Sequence, residues 1–351
     1  MIAATEPSTT KDGGSYGCGA IAMVSMVGLI MAGCPSIVRR PGGCPDFSSV
    51  LDIGSWRRVL ESNPAAVHDD GRMTSSSAAP GAYGLALTGL ADAGTAGAGL
   101  LNARVPVDWP SVHVRYEAGR SSAEIAVDDE HASYPWGADG AVIARRAEGT
   151  ITVVAPERVS DDELVHPLLA WSASAFARWL GREAFHAGGL LIGDGVWGVT
   201  GDRGAGKSTL LAAAARAGIG VMADDLLVMR GTTTFAGPRC VDLRSEAADY
   251  LGDGRAVQTR GRERHRVDLA PVVAEASLQG WILLAWADAA ELVPVRPAEA
   301  LLRIGAQRMM QLGTAGPERM LDQVALPVLE LRRPRRLGGL GESVDLLRQL
   351  S

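Results

Sequence analysis

Apolar and polar positions change period several times along this chain, and the changes mark its elements. Val112-His113-Val114-Arg115-Tyr116, Ala123 to Val127, Ala141 to Arg145 and Ile151 to Val154 are short alternating runs parted by Gly and Asp clusters, the pattern of an antiparallel meander. From Asp161 to Arg182 the spacing becomes helical, with Leu164, Leu168, Leu169, Trp171, Phe176 and Trp179 on the apolar positions. Gly188 to Thr200 reads as two short apolar strands around an Asp194-Gly195 turn. Lys207 to Ala217 is an Ala/Leu-rich helix, closed by Gly218 where a C-terminal glycine belongs. Ile219 to Ala223 predicts a buried strand ending in Asp224-Asp225. Leu226 to Met229 continues as strand and pairs with Thr233 to Ala236 across a Gly231 turn. Trp281 to Trp286 is a further core strand, and helices are predicted over 298–312 and 342–350. Strands and helices joined by short connections give an α/β fold for the second half.

Upstream, periodicity fades. Residues 1–48 are rich in Gly, Pro and Ser and predict an unstructured or signal-like N-terminus. Residues 49–160 predict a small α+β domain, with a short helix over 51–60 and a flexible Gly/Ala-rich segment over 68–99. Residues 161–351 form the third unit, which carries the chemistry.

Composition narrows the class. The chain has 351 residues, 47% of them hydrophobic and 21% charged, as in a folded globular protein. A net charge of −6 excludes a general nucleic-acid binder, which wants a basic surface. Cys18, Cys34, Cys44 and Cys240 contain no C-x-x-C pair, so a zinc site is not expected. Gly19 to Gly33 is uncharged and mostly apolar, and Cys34 after Met31-Ala32-Gly33 is like a lipoprotein signal. The positive start of such a signal is missing, and fifteen residues are short for a membrane span. A cytoplasmic protein with reduced thiols and no stable membrane insertion is the expectation.

Gly201-Asp202-Arg203-Gly204-Ala205-Gly206-Lys207-Ser208-Thr209 fits G-x-x-x-x-G-K-[ST], the P-loop or Walker A pattern. The 34 basic residues include only two lysines, Lys11 and Lys207. Arginine has replaced nearly every other base, so a lysine at this position points to a compact ammonium reaching phosphates. The loop amides and the helix N-terminus favour an anion, and the Ser208 hydroxyl is placed for Mg²⁺. ATP and Mg²⁺ are the expected ligands.

Asp224 and Asp225 end the strand after the loop helix. On an extended segment they point to opposite sides, one to orient Mg²⁺ and one to take a proton, with a solvated Asp-Asp turn as the alternative. His186 stands just before the first hairpin strand, placed either to meet a transferred phosphoryl group or to cap a helix. Arg203 offers a phosphate contact. The runs Arg255, Arg260, Arg262, Arg264, Arg266 and Arg332, Arg333, Arg335, Arg336 read first as solvated faces, and second as holders of an acidic peptide or phosphate.

In order and spacing, Phe185-His186-Ala187-Gly188-Gly189, the P-loop and Val221-Met222-Ala223-Asp224-Asp225 resemble the HPr kinase/phosphorylase family over roughly residues 165 to 345. The resemblance implies the fold shared with phosphoenolpyruvate carboxykinases and phosphorylation of a serine hydroxyl on a protein. It implies Lys207 on the β- and γ-phosphates, Ser208 on the metal and Asp224 as general base. Asp225 would aid metal or water positioning, and His186 would lie near the transferred phosphoryl. The family's Leu-Glu-x-Arg-Gly segment, with its metal-ligand glutamate, is replaced here by 236–246, where Asp242 and Glu246 are the nearest acids. The Gly-Pro-Arg-x-x-Asp-Leu-Arg pattern of that segment is more similar to the divergent kinase-like proteins of peptide natural-product pathways, lasso peptides included. The resemblance thus implies a peptide or small-protein partner with an acceptor serine, and a possible homo-oligomer. A nucleotide-binding accessory protein and a small-molecule kinase are the other readings.

Overall fold

The computed structural model describes residues 76–77, 79–91, 97–102, 104–259, 261–309 and 317–350. The signal-like segment, the helix expected over 51–60, Cys18, Cys34, Cys44 and Arg260 lie outside the described residues.

Sheets dominate, and the protein is mixed α/β. The upstream sheet has seven strands in the order 81–82, 85–88, 111–118, 150–155, 140–145, 131–136 and 126–127. Only part of it is the expected meander. Strands 131–136, 140–145 and 150–155 are antiparallel, but 111–118 runs parallel both to 150–155 and to 85–88. The alternating pattern reports one buried face and is blind to strand direction, which the crossover between 118 and 150 sets. The Gly/Ala-rich stretch expected to be flexible supplies two of these strands, with Tyr83, Leu85 and Leu87 buried. Small residues there permit close packing: a Cβ at Gly81 would stand 2.5 Å from the Leu85 carbonyl oxygen.

The core under this sheet runs past residue 160. It joins Val112, Val114 and Ile151 to Leu168, Leu169 and Phe176 and to Leu226, Val228 and Phe235. The helix expected over 161–182 is broken at His166-Pro167, leaving helix 169–179. Proline lacks the N–H a helix needs and drives the preceding residue into extended conformation, as His166 shows with φ −151° and ψ 120°.

The second sheet places 183–185, 227–230, 233–235, 275–286, 195–200, 188–192 and 220–223 side by side, with 328–333 attached to the long strand and 291–294 to 328–333. Strand 275–286 is the axis. Its first residues pair antiparallel with 233–235, and its later ones run parallel to 195–200 and to 328–333. The hairpin forms one residue earlier than expected, with Ile192 opposite Gly195 and Gly193, at φ 60°, opening the turn. Helix 207–216 packs on this sheet through Leu210, Leu211 and Ala214, and helix 340–348 contributes Leu340, Val344 and Leu347 to the same core. Gly188 makes the close approach possible, since a Cβ there would lie 2.5 Å from Leu211. A small sheet of 240–243, 262–268 and 255–259 adds Val241, Leu243 and Val267 to that core.

Candidate functional site

Strand direction brings the chemistry to one end of the second sheet. Strand 188–192 begins where its two antiparallel neighbours finish, Gly188 opposite Val199 and Gly189 opposite Ala223. His186, the loop that follows Thr200 and the Asp224-Asp225 pair therefore meet. They line a cleft of about 640 Å³ together with His166, Asp242, Glu246, Trp286 and several arginines.

Residues Asp202 to Ala205 close a turn, with the Ala205 amide donating to the Asp202 carbonyl at 2.9 Å. Gly206, at φ 79°, turns the chain into helix 207–216 from a left-handed conformation that favours glycine. Lys207 is 7% exposed, and its Nζ donates to the Gly201 carbonyl at 2.9 Å. Burial lowers its pKa, and the carboxylates of Asp224, Asp225 and Asp202 pull the other way. Arg203 is exposed on the rim, while Gly204, Ser208 and Thr209 line the cleft.

The acidic pair departs from expectation. The strand stops at Ala223, and Asp225 has a positive φ of 65°, so the two residues form a bend and not an extended segment. Both carboxylates line the same cleft as a result. A non-glycine residue in this conformation costs of order 1–3 kcal/mol and persists only where its surroundings over-determine it. Here the Asp225 amide donates to Asp224 Oδ1 at 2.9 Å, and His186 Nδ1 sits 3.1 Å from the Asp225 carbonyl and 3.2 Å from its Oδ1. His186 thus bridges to the acidic pair and does not cap a helix, its own amide donating to the Gln307 carbonyl at 2.7 Å.

Asp224 is 4% exposed. Burial pushes its carboxyl up from 3.8 to about 6, with the Asp225 charge adding to the rise. His166 and a hydrogen bond with the Ser208 side chain oppose it. A buried carboxyl raised toward neutrality beside a serine at a helix start is a setting that can exchange a proton near neutral pH.

Two contributors, His166 and Tyr83, were invisible as motifs. His166 reaches the cleft because Arg266 holds its carbonyl oxygen at 2.9 Å. The Arg266 side chain is fully buried, accepted bidentately by Asp242 at 2.7 and 2.8 Å and by Asp162 Oδ1 at 3.0 Å. Tyr83 comes from the Gly/Ala-rich stretch. Its hydroxyl is buried without a partner, and its pKa is raised by burial and then by the Asp225 charge. Arg239 ties the 220–223 strand to the next segment, donating to the carbonyls of Met222 and Gly237 at 3.2 Å each and to that of Val221.

The arginine runs are not simply solvated faces. Arg262 and Arg264 stand on the cleft wall with Arg244, on the strand face that buries Arg266. Arg333, Arg335 and Arg336 border the opposite, loop side, whereas Arg332 pairs with Glu330 and Glu291 at 2.7 and 3.0 Å. Asp242 spends both oxygens on Arg266, which leaves Glu246 as the other acid of 236–246 on the cleft.

No family model and no curated protein matches this chain. Among solved structures it is similar to the Hpr(Ser) kinase/phosphatase from Coxiella burnetii, at 17% identity over 48% of this chain and 95% of that one. The TM-score is 0.24, so the superposition is loose and carries no weight for either fold or activity. The geometry of the cleft stands by itself.

That geometry fits a nucleotide phosphate. The positive φ of Gly206 shapes a cradle that a side chain would fill, since a Cβ there would lie 2.5 Å from Arg333 Nη2. The donor set is also suited to Mg²⁺, which takes one or two protein oxygens beside phosphate and water. Ser208 and Asp225 offer such oxygens. Among the described residues no cluster of three or more His, Cys, Asp or Glu side chains gathers to hold a metal without that help. The same residues contain no helix long and apolar enough to cross a membrane.

Proposed function

We propose that this chain is an ATP-dependent kinase that transfers the γ-phosphoryl group to a hydroxyl, the serine of a peptide or small protein. One observation carries the reading: Asp224, buried and raised toward neutrality, lines one cleft with Ser208 and with the buried Lys207, whose ammonium lies within its field. Phosphoryl transfer asks for positioning and charge neutralisation, plus a base near the nucleophile.

In this reading the loop amides and Lys207 hold the β- and γ-phosphates. The acceptor O–H bond breaks as its proton passes to Asp224, an O–P bond forms to the γ-phosphorus, and the bond to the β-phosphate oxygen breaks to release ADP. Mg²⁺, held by Ser208 and Asp225, would supply neutralisation of phosphate charge. His186 fixes Asp225 and faces the transferred group. The wall of Arg244, Arg262 and Arg264 suits an acceptor with acidic groups. The divergent peptide-pathway kinases that the 236–246 segment resembles favour a peptide acceptor.

The test is ATP turnover with Mg²⁺, followed by intact-mass analysis of serine-containing peptides encoded beside the gene. A gain of about 80 Da that disappears in Asp224→Asn supports the kinase. Nucleotide binding without ADP release on any peptide supports the second reading, a nucleotide-binding accessory protein. The engagement of Asp242 by Arg266, which removes one candidate metal ligand, favours that alternative.

A further inference from the structure

Trp286 ends the long central strand and lines the cleft with 40% of its surface exposed. An indole left open on a cleft wall is an unusual use of a large apolar side chain. Its pairing partner on the neighbouring parallel strand is Arg333. The Arg333 guanidinium lies over the indole, 4.6 Å from the ring centroid, and so covers one face of it.

Arg333 is itself unusual. It is 3% exposed, and its Nη2 donates to the carbonyls of Ala205 and Gly206 at 2.7 and 3.1 Å, gripping the phosphate loop from below. Its Nε is buried with no partner. Burial lowers its pKa, to about 10, and among the described residues no carboxylate offsets the loss of water. A protein that buries a cation normally pairs it with an acid. Here a charge matched by no acid among the described residues is wedged between the loop and an open aromatic surface. The ligand that answers both features is anionic at one end and aromatic at the other. The parallel strands 195–200, 275–286 and 328–333 all finish at this point, where open α/β sheets place their ligands.

We infer that Trp286 is the stacking platform for the base of a nucleoside polyphosphate, with Arg333 clamping the indole from its other face and adding positive charge under the phosphates. The inference rests on the nucleotide reading of the loop. Every base offers a π-face, so the platform selects nucleotides over inorganic polyphosphate and prefers purines through their larger ring area.

The experiment measures, by calorimetry on the full chain with Mg²⁺, the affinity for ATP and for inorganic tripolyphosphate. Wild type should bind ATP more tightly than tripolyphosphate, by on the order of tenfold for one stacked base. Trp286→Ala should lose that advantage while its tripolyphosphate affinity stays within about twofold of wild type, and Trp286→Phe should keep most of it. Arg333→Lys should weaken both ligands, because the loop contacts go with the guanidinium fork. Equal wild-type affinities for the two ligands, or ATP binding unchanged in Trp286→Ala, would overturn the platform and leave the phosphate loop standing. A Trp286→Ala loss shared equally by both ligands would overturn it too, showing that the indole merely shapes the loop. Failure of wild type to bind either ligand would overturn the loop reading and the platform together.

Discussion

Asp224→Asn separates a residue kept for chemistry from one kept for stability. In the folded chain the Asp224 carboxyl is buried and shifted from 3.8 to about 6, first by loss of water and then by Asp225. Between about pH 4 and 6 the native state therefore holds a proton that the unfolded chain has released. The folded state binds more protons in that window, so its stability falls as pH rises through it. Two pH units at about 1.4 kcal/mol each put the cost of the ionised carboxylate at ~3 kcal/mol near pH 7.5. Asparagine keeps the shape and can still accept from the Asp225 amide, yet it carries no charge. In metal- and nucleotide-free protein, Asp224→Asn should thus raise Tm at pH 7.5 by roughly 5 °C or more. The gain should shrink to about half near pH 5 and nearly vanish near pH 4. Turnover should fall by about 10²- to 10⁴-fold, the usual worth of a general base, while nucleotide still binds. Thermal unfolding of both proteins across pH 4 to 8 is the assay. A Tm difference independent of pH, or a variant less stable than wild type at pH 7.5, would refute the buried-carboxylate reasoning.

Other perturbations probe the remaining parts of the cleft. Turnover by the wild-type chain should fall on the acid side as pH drops through about 6, because the base must be ionised, and a kcat/KM profile flat from pH 5 to 8 would contradict this. Lys207→Ala should abolish turnover and reduce ATP affinity by at least tenfold in calorimetry, since it removes the buried ammonium that the proposed function assigns to the phosphates. Gly206→Ala combines a positive φ with a Cβ 2.5 Å from Arg333 Nη2. It should cost at least about 1 kcal/mol in urea unfolding and weaken tripolyphosphate binding as well. Arg266→Met leaves the mostly buried Asp242 without its partner and should cost about 3 kcal/mol. Adding Asp242→Leu should recover part of that loss, and a double variant no more stable than the single one would show that the ion pair is not what holds the wall.

The half of the site that was legible in the sequence is the half built from local chemistry. A phosphate loop needs glycines at fixed spacing, a lysine and a helix start, and all of these lie within nine consecutive residues. The strand before the loop and the strand that ends at Ala223 announce themselves as apolar runs, so Lys207 and Ser208 can be placed at a helix start and the Asp224-Asp225 pair at a strand end before any coordinates. What periodicity cannot supply is direction and conformation. The pairing of 111–118 with 150–155 is parallel, a fact carried by a crossover and not by either strand. The bend at Asp225 is fixed by His186 from thirty-nine residues away, and nothing in the local sequence demands it. The arginines make the point most sharply. Arg262, Arg264 and Arg266 alternate as a solvated strand face would, yet Arg266 is fully buried and the other two face the cleft. The reason is Asp162, 104 residues distant, which with Asp242 compensates the buried guanidinium. Among the described residues Arg333 has no such acid, only loop carbonyls and the Trp286 indole, and on that ground we infer a ligand above it.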